Sequence, residues 1–271
     1  MPDLSVVIAN WNTADLVVDC LASLAPADAS RQGLSVEVVV VDNASTDDSV
    51  ARVRAAFPTV GLLPLGENRG YAAANNAGIA ASRGRVVTLL NPDTRVPPGA
   101  LARLVARLDE RPDAGAVGPR LLRPDGTAQP FAFGGDPTPA YLARRALLRA
   151  LGRPAHDWST DRAQDVDWVS GACLTARREA IDDAGPLDEG YFMYFEDNDW
   201  CLRMRRAGWR VVYDPGVEIT HIGGQALARN PAARRAYDRS LRRFYAKHYG
   251  RSARLALRLL LPIYRWARTA G

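Results

Sequence analysis

Four short apolar runs, Leu4–Ala9, Val36–Val41, Val60–Leu65 and Arg85–Leu90, each stop at polar residues, and helical patterns separate the first from the last. Runs of this length, rich in β-branched residues, suit strands buried on both faces of a sheet. Strands alternating with helices leave few topologies open. The expected fold class is α/β, with right-handed βαβ units building a mostly parallel central sheet flanked by helices. In such a sheet ligands bind outside the carboxyl ends of the strands. Asn10, Asp42, Asn68 and Asp93 all fall at those ends.

The later part is less regular. A helix over Pro98–Glu110 leads to a strand near Ala116, and Pro124-Asp125-Gly126 predicts a hairpin turn. Thr138–Leu151 has helical spacing with several arginines, and 152–164 is a polar loop. Asp167–Ala176 is expected as one strand, with Gly171 and Ala172 allowing close approach. Helices over Arg177–Ala184 and Glu196–Ala207 and a strand over Trp209–Tyr213 follow, with His221 in the loop beyond.

A chain of 271 residues can bury a large core. Cys20, Cys173 and Cys201 lack metal-ligand spacing and suggest reduced packing residues of an intracellular protein. Met1–Asn12 runs directly into a strand pattern without the marks of a secretory leader. The late apolar run Leu255–Tyr264 is cut by Arg258 and Pro262, short of the roughly 20 residues a spanning helix needs. The expectation is a cytoplasmic protein.

Chemistry concentrates in Gly190–Arg203, where Tyr191, Phe192, Met193, Tyr194 and Phe195 precede Glu196, Asp197 and Asp199. An acid beside a poorly hydrated wall gains basicity, which makes Glu196 and Asp197 candidates for proton abstraction. The plainer alternative is that these acids open a helix, with Asp199 and Arg203 paired on its surface. Asn91-Pro92-Asp93 either is an ordinary turn or presents Asp93 at a strand end. Glu67-Asn68-Arg69-Gly70 precedes a helix N-terminus that favours an anionic group, without a P-loop or dinucleotide fingerprint. A strand-end aspartate with a loop histidine, His221, would suit a divalent ion bridging a diphosphate.

In their order and spacing, Ser5–Asn12, Val41–Asp47, Glu67–Gly78, Leu90–Asp93, Ser170–Leu174, Gly185–Asp199 and His221 resemble glycosyltransferase family 2, the inverting GT-A type, in its rhamnosyltransferase-like branch. The resemblance spans roughly Leu4–Gln225. It implies a GT-A catalytic domain over 1–228, with a donor-binding half to about 115 and an acceptor-binding half after it, then a basic helical extension over 229–271. It also implies that Asp42 recognises the nucleotide base and that Asn10, Asn68, Gly70, Asn75 and Asn91 belong to the donor site. Asp93 takes the place of the last acid of an Asp-X-Asp motif that holds Mg²⁺ or Mn²⁺ against the donor diphosphate, with His221 completing the metal site. Asn91 stands where many relatives carry aspartate, which leaves one carboxylate in that motif. Asp197 matches the general base, and Glu196 shapes the acceptor pocket beside it. The implied donor is a nucleotide-diphosphate sugar, best dTDP-L-rhamnose, and the implied acceptor is a cell-surface polysaccharide or a polyprenyl-diphosphate-linked saccharide.

From Arg234 the chain is strongly basic, with Asp238 its only acid, and Leu255, Leu259, Pro262, Ile263 and Trp266 interleave with arginines that include Arg265 and Arg268. Such a tail either lies peripherally on the inner face of the membrane or packs on the domain with its arginines solvated. No nucleic-acid module precedes it, so nucleic acid is not an expected partner. Two rival functions remain on the residues. One is a non-catalytic nucleotide-sugar-binding module, for which Asn91 would mark lost metal chemistry. The other is a nucleotidyltransferase, which would carry a Gly-rich basic loop where Asn10-Trp11-Asn12-Thr13 stands.

Overall fold

A computed structural model describes residues 1–24, 33–153, 156–223 and 231–259. The elements are β1 (Leu4–Asn10), α1 (Ala14–Ser23), β2 (Val36–Asp42), α2 (Ser49–Ala56), β3 (Gly61–Pro64), α3 (Tyr71–Ala81), β4 (Val86–Leu90), β5 (Thr94–Arg95) and α4 (Ala100–Glu110). They continue with β6 (Ala114–Leu122), β7 (Phe133–Gly134), α5 (Pro139–Ala150), β8 (Gln164–Val166), β9 (Trp168–Val169), β10 (Cys173–Arg177), α6 (Arg178–Ala184), α7 (Glu196–Arg206), β11 (Arg210–His221) and α8 (Pro231–His248). Residues 251–259 are helical again.

One sheet carries the order β3-β2-β1-β4-β10-β6-β11-β5, with β8 on β11. The first four strands are parallel, as their β-branched runs predict, and β1 and β4 are buried almost throughout. Their register aligns the strand ends. Asn10 is the partner of Asp42, so two candidate donor residues stand side by side where β1 and β2 stop. Antiparallel β10 begins opposite the end of β4, with Cys173 paired to Leu90, which lays Ser170–Ala172 against the Asn91–Asp93 turn. At the far edge β11 pairs antiparallel with β5, setting His221 opposite Thr94, one residue from Asp93.

Two strand expectations need correction. The stretch Asp167–Ala176 is broken into β9 and β10 at Ser170-Gly171-Ala172, because the Gly171 N–H leaves the ladder to donate to Asp197. And β11 does not stop at Tyr213. It passes Asp214-Pro215-Gly216 as a bulge, with the register against β6 shifting between Asp214 and Glu218, so His221 ends a strand rather than lying in a loop. Buried Asp214 holds that bulge together by accepting from the Gly216 N–H and the Arg107 Nε. At the start of α1, the sequence suggests a Thr13 cap. Thr13 Oγ1 instead donates to Asn10 Oδ1, and Asp47 Oδ2 accepts the Ala14 N–H.

The large core lies on both faces of the sheet. A second cluster joins Tyr191, Phe195 and Leu202 to Leu142 of α5, to Leu241, Phe244 and Tyr245 of α8, and to Leu257. Through 231–248, then, the basic tail packs on the domain. Among the described residues no helix is long and apolar enough to cross a membrane. Gly224, Gln225, Pro262, Ile263, Arg265, Trp266 and Arg268 lie outside the described residues.

Candidate active site

At the β1–β2 end, Asn10 Nδ2 donates to Asp42 Oδ1 at 3.0 Å, and the Ser45 N–H donates to Asp42 Oδ2 at 2.9 Å. Both side chains are buried. Asn43, to which the sequence reading gave no role, organises the next loop. Its Nδ2 donates to Asn68 Oδ1 and to the Gly70 carbonyl, and its Oδ1 accepts the Arg69 N–H. The signal was present as an amide directly after a strand-end acid. Asn75, expected at the donor site, is wholly buried in α3; it donates to the Tyr71 carbonyl, and its Oδ1 has no partner among the described residues.

Gly70 joins this loop to the acidic stretch. Its φ is +87°, and a Cβ there would lie 2.5 Å from the Phe192 carbonyl oxygen and 2.9 Å from Phe192 Cα. The Tyr71 N–H also donates to that carbonyl. Neither backbone can yield cheaply, so Gly70→Ala should cost about 1–3 kcal/mol from the backbone conformation alone. Thermal melting of the variant should show that loss, together with weaker nucleotide binding by titration; an unchanged melting temperature would overturn this account of the contact.

The expected aromatic wall is divided. Tyr191 and Phe195 enter the second core cluster, whereas Phe192 and Met193 are exposed, Phe192 lying over Gly70. Tyr194 and Phe195 both have positive φ, 70° and 69°, a conformation that costs energy in residues with bulky side chains. This bend starts α7 and sets Glu196 and Asp197 in its first turn, so the helix-start reading and the site reading describe one arrangement. Asp197 Oδ2 accepts the Gly171 N–H at 2.9 Å and its Oδ1 the Asn198 N–H at 2.8 Å. The Tyr71 hydroxyl braces the same turn by donating to the Gly171 carbonyl at 2.7 Å.

Burial raises the pKa of both acids. Glu196, whose Oε2 has no partner among the described residues, is pushed well above the usual carboxylate range by burial and then by the neighbouring Asp197 charge. Asp197 is raised by burial but opposed by the N–H groups of Gly171 and Asn198. Asp197 therefore ionises first, and its charge keeps the proton on Glu196. Of the two, Asp197 is the available base.

Asp199, expected on the helix surface with Arg203, does pair with Arg203 Nε at 2.9 Å but is fully buried. From α8 it is also met by Lys247 Nζ at 2.9 Å and His248 Nε2 at 2.6 Å, and the Tyr191 hydroxyl reaches it at 3.4 Å. The helix that carries Asp197 is thus clamped by the C-terminal one. Sequence spacing shows only the i,i+4 partner; the two from α8 lie nearly fifty residues on.

Across the cleft, His221 Nε2 lies 3.2 Å from Asp93 Oδ1 and 3.2 Å from Asn91 Nδ2. Gln129 Oε1 sits 2.9 Å from His221 Nδ1. Nε2 thus faces an amide nitrogen and a carboxylate oxygen at equal distance, and an imidazole nitrogen and a carboxylate oxygen are both atoms that bind a divalent ion. Gly223 leaves the space open, since a Cβ there would be 2.4 Å from Asp93 Oδ2 and 2.8 Å from His221 Nε2. These residues fit a divalent ion, with Asn91 contributing no charge. Among the described residues no group of three or more His, Cys, Asp or Glu could hold a metal, so the remaining ligands would have to come from the diphosphate and water. A hydrogen bond from the Asn91 N–H to the Ala172 carbonyl, 3.0 Å, ties the turn that carries this pair to the segment that makes the Gly171–Asp197 contact.

Residues 5–151 match the model of glycosyl transferase family 2. An N-acetylglucosaminyl-diphospho-decaprenol L-rhamnosyltransferase of Mycobacterium tuberculosis is 36% identical over 219 residues, covering 73% of this chain and 70% of that protein. The succinoglycan biosynthesis protein ExoO of Rhizobium meliloti is 35% identical over 55% of this chain and 44% of its own length. Among solved structures, the mannosyltransferase PcManGT from Pyrobaculum calidifontis, in complex with GDP-Man and Mn²⁺, has a TM-score of 0.63 at 22% identity, covering 99% of this chain and 74% of that one. At that identity the likeness speaks for the GT-A fold alone.

Proposed function

The chain belongs to glycosyltransferase family 2, and from that premise we propose that it moves one L-rhamnose from dTDP-L-rhamnose to a hydroxyl of a polyprenyl-diphosphate-linked saccharide, with inversion, at the inner face of the membrane. The name of the rhamnosyltransferase relative supports the sugar and the lipid-linked acceptor class, and the dTDP carrier is what the family resemblance implies. The observation that supports this chemistry is the juxtaposition of Asp197, bonded to Gly171, with the Asp93–His221 pair, whose Asn91 neighbour is bonded to Ala172.

Asp197 takes the proton from the acceptor hydroxyl as that oxygen attacks the anomeric carbon, and the nucleoside diphosphate leaves from the opposite face. Gly171 and Asn198 hold the carboxylate in line through their N–H groups. Glu196 stays neutral beneath it and excludes water. Asp93 and His221 would hold a Mg²⁺ or Mn²⁺ ion, which supplies neutralisation of the diphosphate charge. Asn43 keeps the Asn68–Gly70 loop shaped for the donor.

A panel of nucleotide sugars, assayed by thermal shift with and without Mn²⁺, tests the donor. dTDP-rhamnose at a hundred times its Kd should add about 2.7 kcal/mol of stability, and Mn²⁺ should enlarge that shift. A shift with UDP-hexoses and none with dTDP-rhamnose would overturn the donor assignment.

A further inference from the structure

Helix α5 with the turn after it and the helical residues 251–259 present apolar side chains that are exposed among the described residues. Leu147 and Leu151, one helical turn apart, are each more than half exposed, and so are Leu255 and Leu259, also one turn apart. The opposite sides of the same segments are anchored, since Leu142 and Leu257 are buried in one shared cluster. Within the two segments themselves charge has a single sign, although Asp157 lies close enough to feel the same field as Arg144 and Arg145. Residues 137–153 contain Arg144, Arg145, Arg149 and Arg153 and no acid, and residues 239–271 contain no acid at all. In 251–259 the exposed Arg251, Arg254 and Arg258 flank the two leucines.

Leucines among arginines, in segments that carry no carboxylate of their own, match an anionic lipid surface. We propose that α5 and residues 251–259 together dock the enzyme on an anionic bilayer. The docking helix reaches the cleft. Gln129 touches His221 at 2.9 Å, and two residues on, exposed Phe131 holds φ at 63° with the Arg145 guanidinium 4.6 Å from its ring centre. A bilayer on α5 therefore meets the rim of the cleft beside the Asp93–His221 pair. This use of the surface rests on the lipid-linked acceptor proposed above, while the docking itself does not.

Co-sedimentation of the full chain with phosphatidylcholine vesicles, with and without phosphatidylglycerol, tests the proposal. Binding is expected only with phosphatidylglycerol present, falling as salt rises through the screening range. Leu147→Glu/Leu151→Glu and Leu255→Glu/Leu259→Glu should each weaken it about tenfold or more, with melting temperature unchanged because all four side chains are exposed. Retained binding in the α5 pair would overturn the role of α5. Equal binding to neutral vesicles, no binding by the wild type, or a dimer in sedimentation velocity that the α5 pair dissolves would each overturn docking on anionic lipid. No sugar donor enters this assay, so a wrong donor or acceptor cannot be mistaken for failed docking. If docking holds and the acceptor is lipid-linked, the α5 pair slows transfer to acceptor embedded in vesicles but not to a short-chain soluble analogue; equal slowing on both would overturn the α5 role in delivery.

Discussion

Asp197→Asn should lower kcat by roughly 10²–10⁴-fold, the range that general-base catalysis spans, while nucleotide affinity stays within about twofold of wild type. The amide keeps the shape and can still receive the Gly171 and Asn198 N–H groups through its oxygen, so folding and donor binding have no reason to fail. Only the proton acceptor is lost. Glu196→Gln is the matching control. Because Glu196 already holds its proton when Asp197 has lost its own, a neutral isostere should leave kcat within about tenfold of wild type. If the two variants lose activity in the reverse order, the base is Glu196 and the order of ionisation argued here is wrong. If wild type turns over no donor at all with Mg²⁺ or Mn²⁺, the single-carboxylate metal site marks a binding module instead.

The same pair sets a pH dependence. In the proposed mechanism Asp197 acts as its anion, and burial raises its pKa, so kcat/KM should fall toward acid through a limb lying above the ordinary aspartate range near 3.9. Stability runs the other way for Glu196. Its folded pKa lies above the unfolded one, so its contribution is full below the unfolded value and is lost as pH rises through the folded one. Glu196→Gln should flatten that part of a melting-temperature profile against pH. A profile identical to wild type would mean that Glu196 is better solvated than its buried, unpartnered Oε2 implies.

The meeting of the proposed donor residues was legible because the strand runs end at them, and register then aligns Asn10 with Asp42. Asp93 and His221 were visible as residue types, but their meeting depends on β11 running through a Pro-Gly bulge, which local pattern presents as a strand end. Asp197 was legible from its motif. Its orientation was not, since that is set by a break in the strand at Gly171 and by two positive-φ aromatic residues. Non-local pairing is the common cause: a residue pattern records which face is buried, and says little about what a distant segment brings to it.

The Asp199 cluster is the extreme case, and Asp199→Ala should cost about 3–5 kcal/mol, as breaking a buried ionic cluster from one side does, or a fall in Tm on the order of 10 °C. Burial alone would raise the Asp199 pKa, yet His248, Lys247 and Arg203 together hold it below the ordinary range. A lowered folded pKa contributes stability that is present above the unfolded value and is lost as pH falls through the folded one, so acid should loosen α8 from α7. Alanine leaves three cationic or basic groups facing one another in a site where Asp199 was fully buried. Since α7 carries Asp197 two residues away, turnover should fall with the clamp while the Asp93–His221 side keeps its Mn²⁺ affinity. Melting with a loss under about 1 kcal/mol would place the cluster among solvated surface pairs. A stable variant with full activity would free α8 from any part in positioning the base, whereas the expected result makes the first helix of the basic tail a structural member of the catalytic site.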